Sequence, residues 1–177
     1  LERLSLKRTF GPLANPPSLP ALKGIVLYQG PRSSVIDFSP VLAAAPALEE
    51  LTVHETRLRF SAERAPASYG LQKLALSWLP EEPEGLVPLL RYCPRLSDFT
   101  FLFEPNAVKS IRPSALLRLL PELPCAQTLT TLQLEGLREE PDEGRTELVF
   151  AALPALPRLQ FLSVALGYYD AFPQEKA

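Results

Sequence analysis

One pattern governs what this chain can fold into. An apolar residue, two variable residues, an apolar residue, one variable residue and an apolar residue recur seven times. The copies are LERLSL from Leu1, LKGIVL from Leu22, LEELTV from Leu48 and LQKLAL from Leu71, then LSDFTF from Leu96, LTTLQL from Leu129 and LQFLSV from Leu159. Apolar side chains at every second position, as in Leu4 and Leu6 or Leu51 and Val53, are the mark of a strand with one buried face. Successive copies start 21, 26, 23, 25, 33 and 30 residues apart. A regular step of this size means that each strand and its return segment form one unit, and that each unit buries its apolar side only by stacking on a neighbour.

A second signal keeps the same register. LPAL (Leu19 to Leu22), APAL (Ala45 to Leu48), CPRL (Cys93 to Leu96) and LPRL (Leu156 to Leu159) each end on the first leucine of a copy. Proline lacks an N–H and disfavours helix in the residue before it, so it ends one segment and launches the strand. The 20 prolines of the 177-residue chain therefore read as punctuation and not as low complexity. Between the copies lie apolar stretches of helical length: PVLAAAPAL after Ser39, a candidate N-cap, then GLVPLLRYC, Pro113 to Leu123, and Glu147 to Leu156. The expected fold is α/β: a solenoid with a parallel concave sheet of about seven strands, and short helices or irregular turns on the convex side. The expected organisation is one domain over 1–177, with insertions near 103–113 and 137–147 where the step lengthens. The chain opens mid-pattern at Leu1 and contains no methionine, so it is expected to be a fragment of a longer protein.

The strands, the Pro junctions and the uneven step resemble the leucine-rich repeats of fungal F-box-like proteins, from Leu1 to about Val164. The segment Leu86 to Leu96, a helix running into CPRL, is the closest local match. The resemblance implies a protein-binding solenoid. It further implies the substrate-recognition part of an SCF-type ubiquitin ligase receptor, joined to the SCF adaptor by an F-box outside this chain. The chain departs from the usual pattern at the Asn or Cys position three residues past each strand. Those positions read Thr9, Gly30, Thr56, Leu79, Glu104, Leu137 and Gly167. The side-chain ladder that Asn or Cys supplies is therefore expected to be absent or replaced.

Alternation also assigns the face that meets solvent: Arg3, Ser5 and Lys7; Gly24, Val26 and Tyr28; Glu50, Thr52 and His54; Lys73, Ala75 and Ser77; Asp98, Thr100 and Leu102; Thr131, Gln133 and Glu135; Phe161, Ser163 and Ala165. Candidate partner contacts on this concave face are Arg3, Lys7, Tyr28, Glu50, His54, Lys73, Trp78, Asp98, Gln133, Glu135 and Phe161. Tyr28, Trp78 and Phe161 are the candidate anchors, because large aromatics dominate interface energetics. Trp78 is equally suited to packing against the next unit.

Other functions are poorly served. Net charge is -2, with no clustered basic surface, which argues against nucleic acid. No apolar run approaches a membrane span, and the composition suits an intracellular protein. Two cysteines are too few for a disulfide scaffold, and together with one histidine they lack zinc-ligand spacing. Cys93 and Cys125 read as core. His54 has Glu50, Glu55 and Ser77 near it in the expected register, but no nucleophile elbow surrounds any serine. The chain is therefore expected to be no enzyme and to need no cofactor. The acidic run Glu139, Glu140, Asp142 and Glu143 reads as a solvated loop. Alternatives to the ligase receptor are a regulator or immune-type sensor on the same fold, or the non-catalytic part of a multidomain enzyme.

Overall fold

The structure is a computed structural model that describes residues 1–7, 16–28, 35–61, 68–79, 85–103, 113–135 and 151–164. The seven copies form seven strands: β1 (Arg3–Lys7), β2 (Gly24–Tyr28), β4 (Glu50–His54), β6 (Lys73–Leu79), β7 (Asp98–Phe103), β8 (Thr131–Glu135) and β9 (Phe161–Val164). They build one parallel sheet in the order β1-β2-β4-β6-β7-β8-β9, so neighbours in the sheet are also neighbours along the chain. A second, two-stranded parallel sheet pairs β3 (Ile36–Asp37) with β5 (Leu58–Arg59). Short helices α1 (Ser39–Ala44), α2 (Leu86–Arg91) and α3 (Pro113–Leu119) complete the α/β arrangement among the described residues, and residues 151–152 are also helical.

Register is uniform across the sheet apart from one shift in the β6–β7 pairing past Ser77. Leu4, Ile25, Leu51, Leu74, Phe99, Leu132 and Leu162 form one transverse row, and Leu6, Leu27, Val53, Leu76, Phe101, Leu134 and Val164 form the next. From β2 to β8 the members of both rows are no more than 2% exposed. They join Leu22, Leu48, Leu71, Leu96 and Leu129 in one hydrophobic cluster that reaches Leu156. Burying a leucine completely stabilises by about 1.5–3 kcal/mol, so these rows are the main source of cohesion.

Backbone hydrogen bonds fix that register at the second residue of each copy. The carbonyl of Glu2 accepts the N–H groups of Lys23 and Gly24 at 2.8 and 3.0 Å. The carbonyls of Lys23, Glu49, Gln72, Ser97 and Thr130 do the same for Glu49/Glu50, Gln72/Lys73, Ser97/Asp98, Thr130/Thr131 and Gln160/Phe161, all between 2.8 and 3.0 Å. Ser97 and Thr130 add their hydroxyls, donating to the carbonyls of Gln72 and Ser97.

The Pro tetrapeptides are turns with proline second, the position its fixed φ favours. The N–H of Leu22 donates to the carbonyl of Leu19, and Leu48, Leu96 and Leu159 donate likewise to Ala45, Cys93 and Leu156. The same closure occurs at Leu120–Leu123, Leu123–Ala126 and Leu153–Leu156, so Pro turns follow one another directly in the stretched steps. Part of the 33-residue step is therefore ordered: α3 and two 3₁₀ turns, Leu120–Glu122 and Pro124–Gln127, occupy it. Residues 104–112 and 136–150, which hold the rest of the expected insertions and the acidic run, lie outside the described residues.

Two local expectations are corrected. Ser39 does not cap α1: the cap position is Phe38, and Ser39 is already helical. Its N–H is met by the Asp37 carboxylate at 3.0 Å, while its hydroxyl accepts the N–H of Ser61 at 2.7 Å. That second bond ties α1 to the end of β5. The side sheet was also unforeseen. It comes from a short echo, IDFS at 36–39 and LRFS at 58–61, whose Phe38 and Phe60 pack edge to face with ring centroids 6.3 Å apart. Among the described positions of the side-chain ladder, expected to be absent or replaced, Thr56 is fully buried and donates its hydroxyl locally, to the carbonyl of His54 at 2.8 Å.

Gly85 caps α2 at φ 82°, and a Cβ there would collide with the carbonyl of Phe60. Only glycine meets both demands. Gly85→Ala is expected to destabilise by about 3 kcal/mol or more in urea unfolding. Unchanged stability would show that α2 does not pack so closely on β5.

Candidate functional site

Parallel sheets are usually covered on both faces and read as continuous apolar runs. This one alternates strictly, and its second face carries three polar or mixed rows. The first row is Arg3, Gly24, Glu50, Lys73, Asp98, Thr131 and Phe161. The second is Ser5, Val26, Thr52, Ala75, Thr100, Gln133 and Ser163, and the third is Lys7, Tyr28, His54, Ser77, Leu102 and Glu135. Ten of the eleven candidate contacts are thus gathered on one surface. At about 4.8 Å per strand, that surface runs about 29 Å from β1 to β9.

The first row compensates its own charge. The Arg3 guanidinium reaches Glu50 two strands away, with an ion pair of 3.0 Å and a hydrogen bond of 3.2 Å. Gly24 makes this reach possible: a Cβ there would stand 3.2 Å from Arg3 Cγ. Lys73 pairs with Asp98 at 3.6 Å. Exposed pairs of this kind contribute about 0–1 kcal/mol to stability, so their effect lies in neutralising the row. The row ends on Phe161, a large side chain left 52% exposed.

The third row is different. Lys7 is exposed and has no ion pair among the described residues. Tyr28 lies beside His54 with ring centroids 6.4 Å apart, and its hydroxyl donates to Glu55 Oε2 at 3.2 Å. Glu55 itself adopts φ 46°, rare for a non-glycine residue, and its N–H donates to the carbonyl of Ser77 at 3.0 Å. Glu135 Oε1 accepts the Gln133 amide at 2.7 Å and the Ser163 hydroxyl at 3.0 Å.

Two assignments to this face change. Ser77 is only 4% exposed, because a small side chain between His54 and Leu102 lies below their level. It is therefore no solvent-facing contact, and no hydrogen bond joins its hydroxyl to His54 among the described residues. Trp78 lies within β6 and not after it. The pairing with β7 passes from Ser77↔Leu102 to Leu79↔Phe103, so Trp78 is the irregular residue where alternation breaks. Its side chain lies outside the described residues, as does Ala165. Sequence reasoning named Glu55 only as an acid near His54 and gave it no place on the face, because it stands one residue past the strand.

No group of three or more His, Cys, Asp or Glu side chains gathers as a metal site among the described residues. Among these residues, no helix is long and apolar enough to cross a membrane. No protein-family model, curated protein or solved structure matches the chain.

Both cysteines are free and buried. Burial, reinforced by Cys125, pushes the Cys93 thiol up to about 12, and burial pushes Cys125 up to about 11. Burial raises the Tyr69 phenol to about 12 as well, helped by Cys93, Tyr92 and Asp37. Such thiols are poor nucleophiles. A proton held more tightly in the fold changes nothing below the ordinary pKa, where both states keep it. Above that pKa, unfolding releases the proton and stability falls. Stability is therefore expected to hold up to about pH 9 and to fall above it, with Cys93 acting from about pH 9 to 12, Cys125 from about 9 to 11 and Tyr69 from about 10 to 12. Urea titrations across this range check it, and Cys93→Ala/Cys125→Ala should flatten the fall. The same slope with and without the thiols would refute their part in it.

Proposed function

We propose that this chain is a leucine-rich-repeat solenoid whose concave sheet face binds a protein partner. One observation carries the reading: a parallel sheet whose core face is fully apolar presents a second face of regularly spaced charged, aromatic and hydroxyl side chains to solvent. A sheet that needed only stability would gain more by burying that face beneath helices. Extended faces of stacked units are a common binding surface in solenoids. Tyr28 and Phe161, near opposite ends, are its anchors. The reading makes the chain a binding module and not a catalyst.

The resemblance of the repeats to those of fungal F-box-like proteins adds a finer proposal. The bound protein is a substrate, and the full-length protein delivers it to an SCF-type ubiquitin ligase inside the cell. Fold alone does not fix that role, so the two layers need separate tests.

A photo-crosslinking residue placed at Thr100 or Val26, on the face, should trap a protein adduct in cells. The same residue at Arg91, on α2, should not. Adducts from Arg91 alone would sink the face-binding reading. For the finer layer, the full-length protein is expected to co-precipitate the SCF adaptor. Failure to do so, in a protein whose upstream sequence encodes no F-box, would remove the ligase role and leave the binding face standing.

A further inference from the structure

The charges of the third row specify more than a generic partner. In the first row, opposite charges alternate along the sheet and close into Arg3–Glu50 and Lys73–Asp98 pairs. A ligand crossing that row meets little net charge. The third row has no such closure. Lys7 stands on β1 without a carboxylate beside it among the described residues. Glu55, one residue past β4, takes only the neutral Tyr28 hydroxyl among the described residues. Glu135, on β8, takes only the neutral Gln133 amide and Ser163 hydroxyl among the described residues. Neutral donors orient a carboxylate and leave its charge in place. The row thus reads positive at β1, negative at β4 and negative at β8, with Leu102 between the two carboxylates.

Resting on the binding-face reading above, we propose that this row recognises an extended peptide segment with one acidic residue and two basic residues at fixed spacing. The acidic residue meets Lys7, the first basic residue meets Glu55 and the second meets Glu135. Strands lie about 4.8 Å apart, so β1 to β4 spans about 10 Å and β4 to β8 about 14 Å. An extended chain advances about 3.3 Å per residue. The matching segment is therefore acidic-x-x-basic-x-x-x-basic, read in either chain direction. Charge complementarity of this kind sets specificity and register more than raw affinity. It disfavours an anionic membrane surface or a nucleic acid, each of which would meet two uncompensated carboxylates.

The test is selection of randomised twelve-residue peptides displayed on phage, at low salt, against the full chain and its Lys7→Glu and Glu135→Lys variants. Low salt matters because exposed charges are screened beyond about 10 Å at 0.1 M. Peptides selected on the unmodified chain are expected to carry the acidic-x-x-basic-x-x-x-basic spacing. Those selected on Lys7→Glu should replace the acidic residue by a basic one and keep the other two. Those selected on Glu135→Lys should exchange the far basic residue for an acidic one. A peptide selected on the unmodified chain should lose tenfold or more in affinity for either variant, and less for the neutral Lys7→Gln and Glu135→Gln. Melting temperatures are expected to match across the set, since these side chains lie on the solvent face. Selected peptides without charge spacing, or with the same spacing on all three proteins, would overturn this inference alone. No enrichment on any of them would overturn the binding-face reading with it.

Discussion

Parallel backbone pairing sets the register of this sheet, and one carbonyl at each strand start anchors it. The second residue of each copy offers its oxygen to two successive N–H groups of the next strand, six times over from Glu2 to Phe161. The bond does not depend on side-chain identity: Glu2, Lys23, Glu49, Gln72, Ser97 and Thr130 serve equally. What it imposes is register. A slip of one residue in any strand would carry its leucines to the solvent face and its charges into the core. With register fixed, the two apolar rows line up across all seven strands, and the rows on the opposite side line up as a consequence. The regular order of the solvent face is therefore a by-product of the constraint that builds the core.

The proline turns let that constraint tolerate irregular returns. Whatever path the chain takes from one strand end, a turn such as Leu19–Leu22 or Cys93–Leu96 brings it back to the same starting point. Loop entropy rises only slowly with length, by about 0.6 kcal/mol per doubling, so steps of 21 and 33 residues can share one sheet. In the longest step the extra residues are partly occupied by α3 and two back-to-back proline turns. Thr128 then donates its hydroxyl among the carbonyls of Pro94, Leu96 and Cys125, tying that return to the preceding unit. A chain this rich in proline keeps its order because nearly every described proline sits where a missing N–H removes no sheet bond.

The strands and their order were legible because period-two alternation is strong in every copy and proline tetrapeptides mark four of the seven starts. Features outside that period were not. The side sheet rests on strands of two residues, Ile36–Asp37 and Leu58–Arg59, too short to show any period. The cap of α1 went to Phe38 because Ser39 had a better use for its hydroxyl, the Ser61 N–H, which only tertiary structure brings near. Ser77 was assigned to solvent by parity, but parity gives direction and not height. Between His54 and Leu102 a serine is too short to reach water. Glu55 was invisible to the same rule, since a left-handed residue past a strand end has no parity at all.

These exceptions converge on one end of the sheet face. His54 is followed by a residue in a strained conformation, Ser77 is sunken, and Trp78 interrupts the β6–β7 pairing immediately afterwards. Local irregularity in an otherwise uniform sheet costs stability: a non-glycine residue in the left-handed region alone costs about 1–3 kcal/mol. In the first row the sheet repeats without such cost, and there its charges cancel between strands. In the third row regularity is broken, and among the described residues the charges stay uncancelled. A face evolved only to be wet would have no reason to combine the two. The two coincide at the carboxyl ends of β2, β4 and β6, where Tyr28, His54 and Glu55 meet, and the proposed peptide register draws on that coincidence.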